Sequence, residues 1–137
     1  MVPNRSSPPA TIIPVLGYPD ITAASHWLRD AFGFKVRLRI GDHRVQMMFG
    51  DGALILTQIH SREMRQCQSV HVRVEDAEAV FERAVAKGAK VIAATADYPY
   101  GERQFTVDDP DGHRWTFSQS IADVDPASWG ATDVDLS

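Results

Sequence analysis

An α+β fold of two tandem βαβββ modules is predicted by three features of this sequence. The same order of strand-like and helix-like segments occurs twice, over residues 11–60 and again over 68–119. Its landmarks recur in register: Asp20, Gly33 and Val36 correspond to Asp76, Gly88 and Val91 within one residue, and the turn Asp51-Gly52 corresponds to Asp111-Gly112. Finally, 137 residues, 44% of them hydrophobic, suffice for one good core but not for two independent domains of ordinary size. Each module alone would cover one face of a four-stranded sheet with its helix and leave the other bare. The two sheets are therefore expected to curve together into a half-open eight-stranded sheet that encloses a cleft.

Residues 1–10, rich in Pro and Ser, are expected to form a flexible N-terminal arm. TIIPVLGY at 11–18 is a β-branched apolar run and predicts a strand. Asp20 then caps a helix, because its carboxylate accepts from the orphan amides of the first turn, and Ala24, Trp27, Leu28 and Ala31 recur at helical spacing up to Gly33. KVRLRI at 35–40 alternates as a strand, and RVQMMFG with DGALILTQI forms a hairpin around Gly-Asp-Gly. After a polar link at 61–68, SVHVRV begins the second module. Asp76 is its helix cap, and Ala79, Val80, Phe81, Ala84 and Val85 form the expected apolar stripe before Gly88. KVIAAT, GERQFTVDD and GHRWTFSQ supply its remaining strands, with Tyr98 and Tyr100 in an aromatic loop before the second of them. Residues 120–137 form a C-terminal tail containing Trp129.

Composition narrows the function. A net charge of -4 and the absence of a Lys/Arg run leave no basic surface for phosphates, which argues against nucleic acid and anionic membranes as partners. Cys67 is the only cysteine, so neither an internal disulfide nor a cysteine-based zinc cluster can form, and a reducing cytoplasm is the expected location. The N-terminal MVPNRSSPPA has no apolar core of a secretory signal, and apolar runs such as ALIL at 53–56 are far below spanning length.

With the order βαβββ-βαβββ, the helices DITAASHWLRDAFGF and DAEAVFERAVAKGA, and the closing YGERQFTVDDPDGHRWTF, the chain resembles the vicinal oxygen chelate superfamily, the glyoxalase, bleomycin-resistance and extradiol dioxygenase fold, over about residues 11–119. The tail DVDPASWGA is similar to the ending of small glyoxalase-like bacterial proteins. The resemblance implies a homodimer, with module exchange between chains as one form of it.

The resemblance also implies where a metal would be held. Metal-dependent relatives place His or Glu on the first and last strands of each module, where a divalent ion polarises vicinal oxygens. Carried onto this sequence, those positions fall on Ile13, Ile55, Ser69 and Thr116. None supplies an imidazole or carboxylate, and residues 11–18 and 51–59 contain no His, Glu or Cys, so a shift of one residue does not restore module one. No metal, no other cofactor and no catalytic residue is therefore assigned. His26 and His43 are expected to serve surface or packing roles, His113 to serve the turn, and His60 ends a strand. His71 shares a strand face with Ser69 and Arg73, opposite the apolar Val70, Val72 and Val74, which points it into the cleft as a ligand contact or as a partly buried, satisfied histidine.

The remaining candidate contacts follow from alternation. Met47 is taken as the cleft-facing member of the Met47-Met48 pair, with core filling as the plainer role. Tyr98 and Tyr100 offer ring faces and hydroxyls at the cleft mouth, or anchor the loop. Glu102 looks inward, while Arg103 lies on the helix side, bonded to a carboxylate such as Asp108 or Asp109. Trp115 and Phe117 are core, and Arg114, Thr116 and Ser118 face the cleft. The expected ligand-binding set is Ile13, Met47, Ile55, Ser69, His71, Arg73, Tyr98, Tyr100, Glu102 and Thr116. The expected function is metal-independent binding of a small molecule, an antibiotic or a metabolite. The alternative is a lyase, isomerase or dioxygenase-type enzyme using a displaced metal or metal-free acid–base chemistry by His71 and Glu102.

Overall fold

The computed structural model describes residues 8–60 and 69–129. The expectations for most of the arm, for the 61–68 link with Cys67 and for the end of the tail lie outside the described residues. The chain divides into two compact units, with the boundary between Arg65 and Gln66.

Unit one is β1 (Val15–Tyr18), α1 (Ile21–Phe32), β2 (Lys35–Ile40), β3 (Arg44–Phe49) and β4 (Gly52–Gln58). Unit two repeats the order with β5 (Ser69–Arg73), α2 (Ala77–Ala86), β6 (Lys90–Tyr98), β7 (Glu102–Asp108) and β8 (Arg114–Ser120), followed by a short 3-10 turn at Pro126–Trp129. The strands form two separate four-stranded sheets, ordered β1-β4-β3-β2 and β5-β8-β7-β6. In each, the first strand lies parallel to the last and the other pairings are antiparallel. The fold is thus α+β with tandem βαβββ modules.

Local chemistry explains why the helices begin where they do. The carboxylates of Asp20 and Asp76 accept from the amides of Ala23 and Ala79 at 3.0 and 3.1 Å, three residues into each helix. A second device appears in both modules: the side-chain oxygen of Gln58 accepts from Ile21 N, and that of Gln119 accepts from Ala77 N at 2.9 Å. The last strand of each module thereby satisfies the first amide of its own helix. Gly33 closes α1 at φ 87°, a left-handed conformation that Gly adopts without a Cβ clash.

Two boundaries and one helix face differ from the sequence expectation. β1 begins at Val15, so Ile13 precedes the strand; Pro14 has no N–H to give to a ladder, although its carbonyl accepts from Ile55 N at 2.9 Å. β6 runs on to Tyr98, so Tyr98 closes a strand and does not sit in a loop; the register with β7 shifts twice, between Val91 and Ala93 and between Ala93 and Ala96, and pairing resumes through Tyr98. On α2 the buried residues are Ala77 and Ala84 with Val80 and Phe81 half-buried, while Ala79 and Val85 are exposed. The stripe follows i, i+3, i+4, i+7 from Ala77, two residues before the first apolar residue of the expected stripe.

Candidate functional site

Pleating sends alternate residues to opposite faces of a sheet, and contacts with the helices decide which face is covered. In unit one, the ring of Phe49 lies 5.2 Å from that of Phe34, just past the Gly33 cap of α1, and Gln58 reaches the helix N-terminus. The covered face therefore carries Val45, Met47 and Leu56, paired Val45 with Leu56 and Met47 with Leu54. Met47 is fully buried there. This corrects its assignment to the cleft wall: Met48, half-buried, shares the open face with Gln46, Ile55 and Val15. Ile55 is 9% exposed on that face, and Ile13 lies half-buried just ahead of β1.

In unit two the covered face is set by Phe81, whose ring lies 5.2 Å from Phe105, with Phe117 stacked on Phe105 at 5.1 Å. Trp115 and Phe117 are fully buried on this face, as alternation required. The opposite face is polar on three consecutive strands. Its rows, read across β5, β8 and β7, are His71-Thr116-Thr106 and Arg73-Ser118-Gln104, bounded by Ser120-Glu102 at one end and Ser69-Arg114-Asp108 at the other. Tyr98 on β6 is the register partner of Glu102. Seven of the ten expected contacts (Ser69, His71, Arg73, Tyr98, Tyr100, Glu102 and Thr116) thus belong to this unit, which groups them on or beside one face.

A directional chain of hydrogen bonds crosses that face. The Tyr100 hydroxyl donates to Gln104 Oε1 at 3.0 Å, Gln104 Nε2 donates to Ser118 Oγ at 3.0 Å, and Ser118 Oγ donates to Glu102 Oε1 at 2.6 Å. Ser118 is only 1% exposed, so the chain has a buried midpoint and a carboxylate at its end. The hydroxyls of Ser118 and then Ser120 hold the Glu102 carboxyl below its ordinary range; the charges of Arg73 and His71 add to this, against an opposing effect of burial. Desolvation, followed by the proximity of Tyr98 and Glu102, pushes the Tyr100 phenol up and keeps it a donor. Tyr98 and Tyr100 stack at 5.5 Å with ring planes 13° apart. Gln104, Thr106 and Ser120 escaped the sequence reading, although the every-other-residue polarity of ERQFTVD and RWTFSQS carried the signal.

Arg103 and its expected partners are also corrected. Arg103 holds Asp97 on the neighbouring strand at 2.7 Å. Asp108 instead pairs with Arg114 at 2.9 Å, and Asp109 takes the indole N–H of Trp115 at 3.1 Å. The last bond, with Asp109 also accepting from His113 N at 2.9 Å, ties the Asp-Pro-Asp-Gly-His turn to the core.

The donor set does not fit a divalent transition ion at the positions where metal-dependent relatives hold one. Ile13 and Ile55 are hydrocarbon, Ser69 is an exposed hydroxyl, and Thr116 Oγ1 is engaged with Thr106 Oγ1 at 2.9 Å. Among the described residues, no three His, Cys, Asp or Glu side chains come together. No helix is long and apolar enough to cross a membrane among those residues.

Tandem βαβββ modules, each with its helix against one face of its own sheet, define the class of protein. The family model described as Glyoxalase/Bleomycin resistance protein/Dioxygenase superfamily matches residues 12–117, and the chain belongs to that family. Among solved structures, TioX from Micromonospora sp. ML1 is 30% identical, with a TM-score of 0.69 over 80% of this chain and 98% of that one. A glyoxalase/bleomycin resistance protein/dioxygenase family enzyme from Burkholderia phytofirmans is 16% identical, with a TM-score of 0.70 over 80% of this chain and 97% of that one, a likeness of fold alone. Uncharacterised proteins of Mycobacterium bovis and Mycobacterium tuberculosis are 39% identical over 56 residues, 41% of this chain. The matched stretch spans only 37% and 33% of those two proteins.

Proposed function

We propose that this protein is a metal-independent small-molecule-binding member of its family, in the manner of the bleomycin-resistance branch, which takes up an antibiotic or metabolite. The observation that carries this reading is the residue set Ile13, Ile55, Ser69 and Thr116 at the four positions where a metal-dependent relative needs imidazole or carboxylate. Glu102 supports it. A carboxylate held below its usual range by two hydroxyls is a weak base at neutral pH and a good fixed acceptor, which suits recognition better than proton abstraction. His71, Arg73, Tyr98, Tyr100 and Glu102 are the contacts we favour in unit two, with Ile13 and Ile55 in unit one. Binding takes place in the cytoplasm, by a homodimer.

Titration of the purified protein with a broad panel of antibiotics and metabolites, followed by Trp fluorescence and calorimetry, tests the proposal. Calorimetry is needed because Trp115 is buried on the covered face, away from the polar rows. Saturable binding by at least one compound class is expected; none across the panel counts heavily against the reading.

A second reading is a lyase or isomerase that uses His71 and Glu102, and their place on one face of the same sheet favours it. Elemental analysis after mild purification separates the two. One equivalent of nickel, zinc, iron or manganese per chain, lost on His71→Ala, supports the enzyme and removes the metal-independent proposal.

A further inference from the structure

We propose that the ligand of the open face of unit two is zwitterionic, a small molecule whose anionic oxygen group docks on Arg73 and whose protonated amine docks on Glu102. This deepens the binding function proposed above and depends on it.

Two opposite charges on one polar face, neither of them in an ion pair among the described residues, carry the inference. Arg73 is exposed and forms no hydrogen bond or ion pair among the described residues, whereas Arg103 and Arg114 of the same sheet are each held by a carboxylate, Asp97 and Asp108. Arg73 is the register partner of Ser118, and Ser118 Oγ donates to Glu102. The guanidinium and the carboxylate therefore occupy adjoining rows of one face, near enough for the charge of Arg73 to stabilise the Glu102 anion. They form no ion pair with each other.

The chain Tyr100-Gln104-Ser118 explains why the pair stays open. It anchors one carboxylate oxygen of Glu102 from a buried hydroxyl, so the carboxylate is fixed in advance and is not free to swing to the guanidinium. Any molecule that covers this face removes water from both charges. A neutral ligand leaves the guanidinium and the hydroxyl-bonded carboxylate without an opposite charge, and a singly charged one leaves one of them so; a buried charge without a counter-charge is unfavourable. A ligand carrying both complementary charges offsets both losses, and specificity follows from the rejected alternatives as much as from the contacts made. His71, exposed one row along β5, adds a donor on the anion's side. The stacked Tyr98 and Tyr100 put ring surface beside Glu102, which suits an aromatic substituent next to the amine.

The test is calorimetric titration of the full chain with a matched set: phenylalanine, phenylpropanoate, phenethylamine and neutral phenylethanol. Phenylalanine is expected to bind about tenfold or more tighter than the other three, the scale of one charge-assisted hydrogen bond. Arg73→Ala weakens phenylalanine and phenylpropanoate about tenfold and leaves phenethylamine unchanged; Glu102→Gln does the reverse. Arg73 is exposed and Gln retains an acceptor for Ser118, so both variants keep the fold, which circular dichroism checks. Equal affinity across the set, or loss in either variant that ignores the ligand's charge, overturns the inference. Silence of the whole set while a neutral antibiotic or metabolite saturates the protein overturns it too and leaves the binding function standing. Silence of every compound in both experiments overturns both.

Discussion

Asp109 shows how much one side chain organises. It is 4% exposed, and its carboxylate accepts from Asp111 N, His113 N and the Trp115 indole, so one residue closes a turn and satisfies the polar atom of the largest buried ring. Asp109→Ala takes the shared acceptor away from three donors, one of them on a fully buried ring, and should cost roughly 2–4 kcal/mol, read as a lowered urea midpoint with an unchanged slope. Glu102 gives a prediction with a pH signature. Its folded-state pKa lies below the usual 4.5, so its contribution to stability is present above that value and disappears as pH falls through the folded one. Glu102→Gln should therefore be less stable than the wild type at neutral pH, and the two should converge in acid, as measured by urea unfolding across that range. The exposed Arg103–Asp97 pair, by contrast, adds little.

Each helix is secured by the strand that ends its own module. Asp76 and Gln119 together satisfy two of the four orphan amides of α2, as Asp20 and Gln58 do for α1. Asp76→Ala should lower stability by about 1 kcal/mol, with the added fraying seen as faster amide exchange in the first turn of α2. The caps were legible in the sequence because Asp sits directly before a helical stripe. The glutamine partners were not, since a bond between residues 42 apart leaves no local pattern. The irregular end of β6 was also hidden. Ala94 and Thr95 fall in a register shift and have no partner on β7, with pairing resumed at Ala96 and Asp97; Thr95 Oγ1, buried without a hydrogen-bond partner among the described residues, lies in that stretch.

At the scale of the molecule, the repeat has diverged in chemistry while keeping its order. The open face of unit one carries Val15, Ile55 and Met48, and that of unit two carries His71, Arg73, Glu102 and Thr116. Both sheets also end in an edge strand with exposed apolar residues: Val36, Leu38 and Ile40 on β2, and Val91 and Ile92 on β6. Such edges invite pairing unless covered. The proposed homodimer supplies a cover, so light scattering should give twice the 15.2 kDa of the chain, and Ile92→Lys should shift the mass toward one chain. A single-chain mass for the wild type at all concentrations would count against the dimer.

The sequence by itself determined the modular order, both helix caps, the hairpin turns and the family, because these rest on short-range periodicity and on landmarks that recur at fixed spacing. It also determined that imidazole and carboxylate are missing from four positions, a matter of residue identity alone. The tertiary structure decided which methionine faces outward, which carboxylate each arginine holds, and that Tyr100, Gln104, Ser118 and Glu102 form one chain of hydrogen bonds. Those outcomes depend on strand register and on side-chain reach across neighbouring strands, and a shift of one residue in pairing would send every one of them to the opposite face.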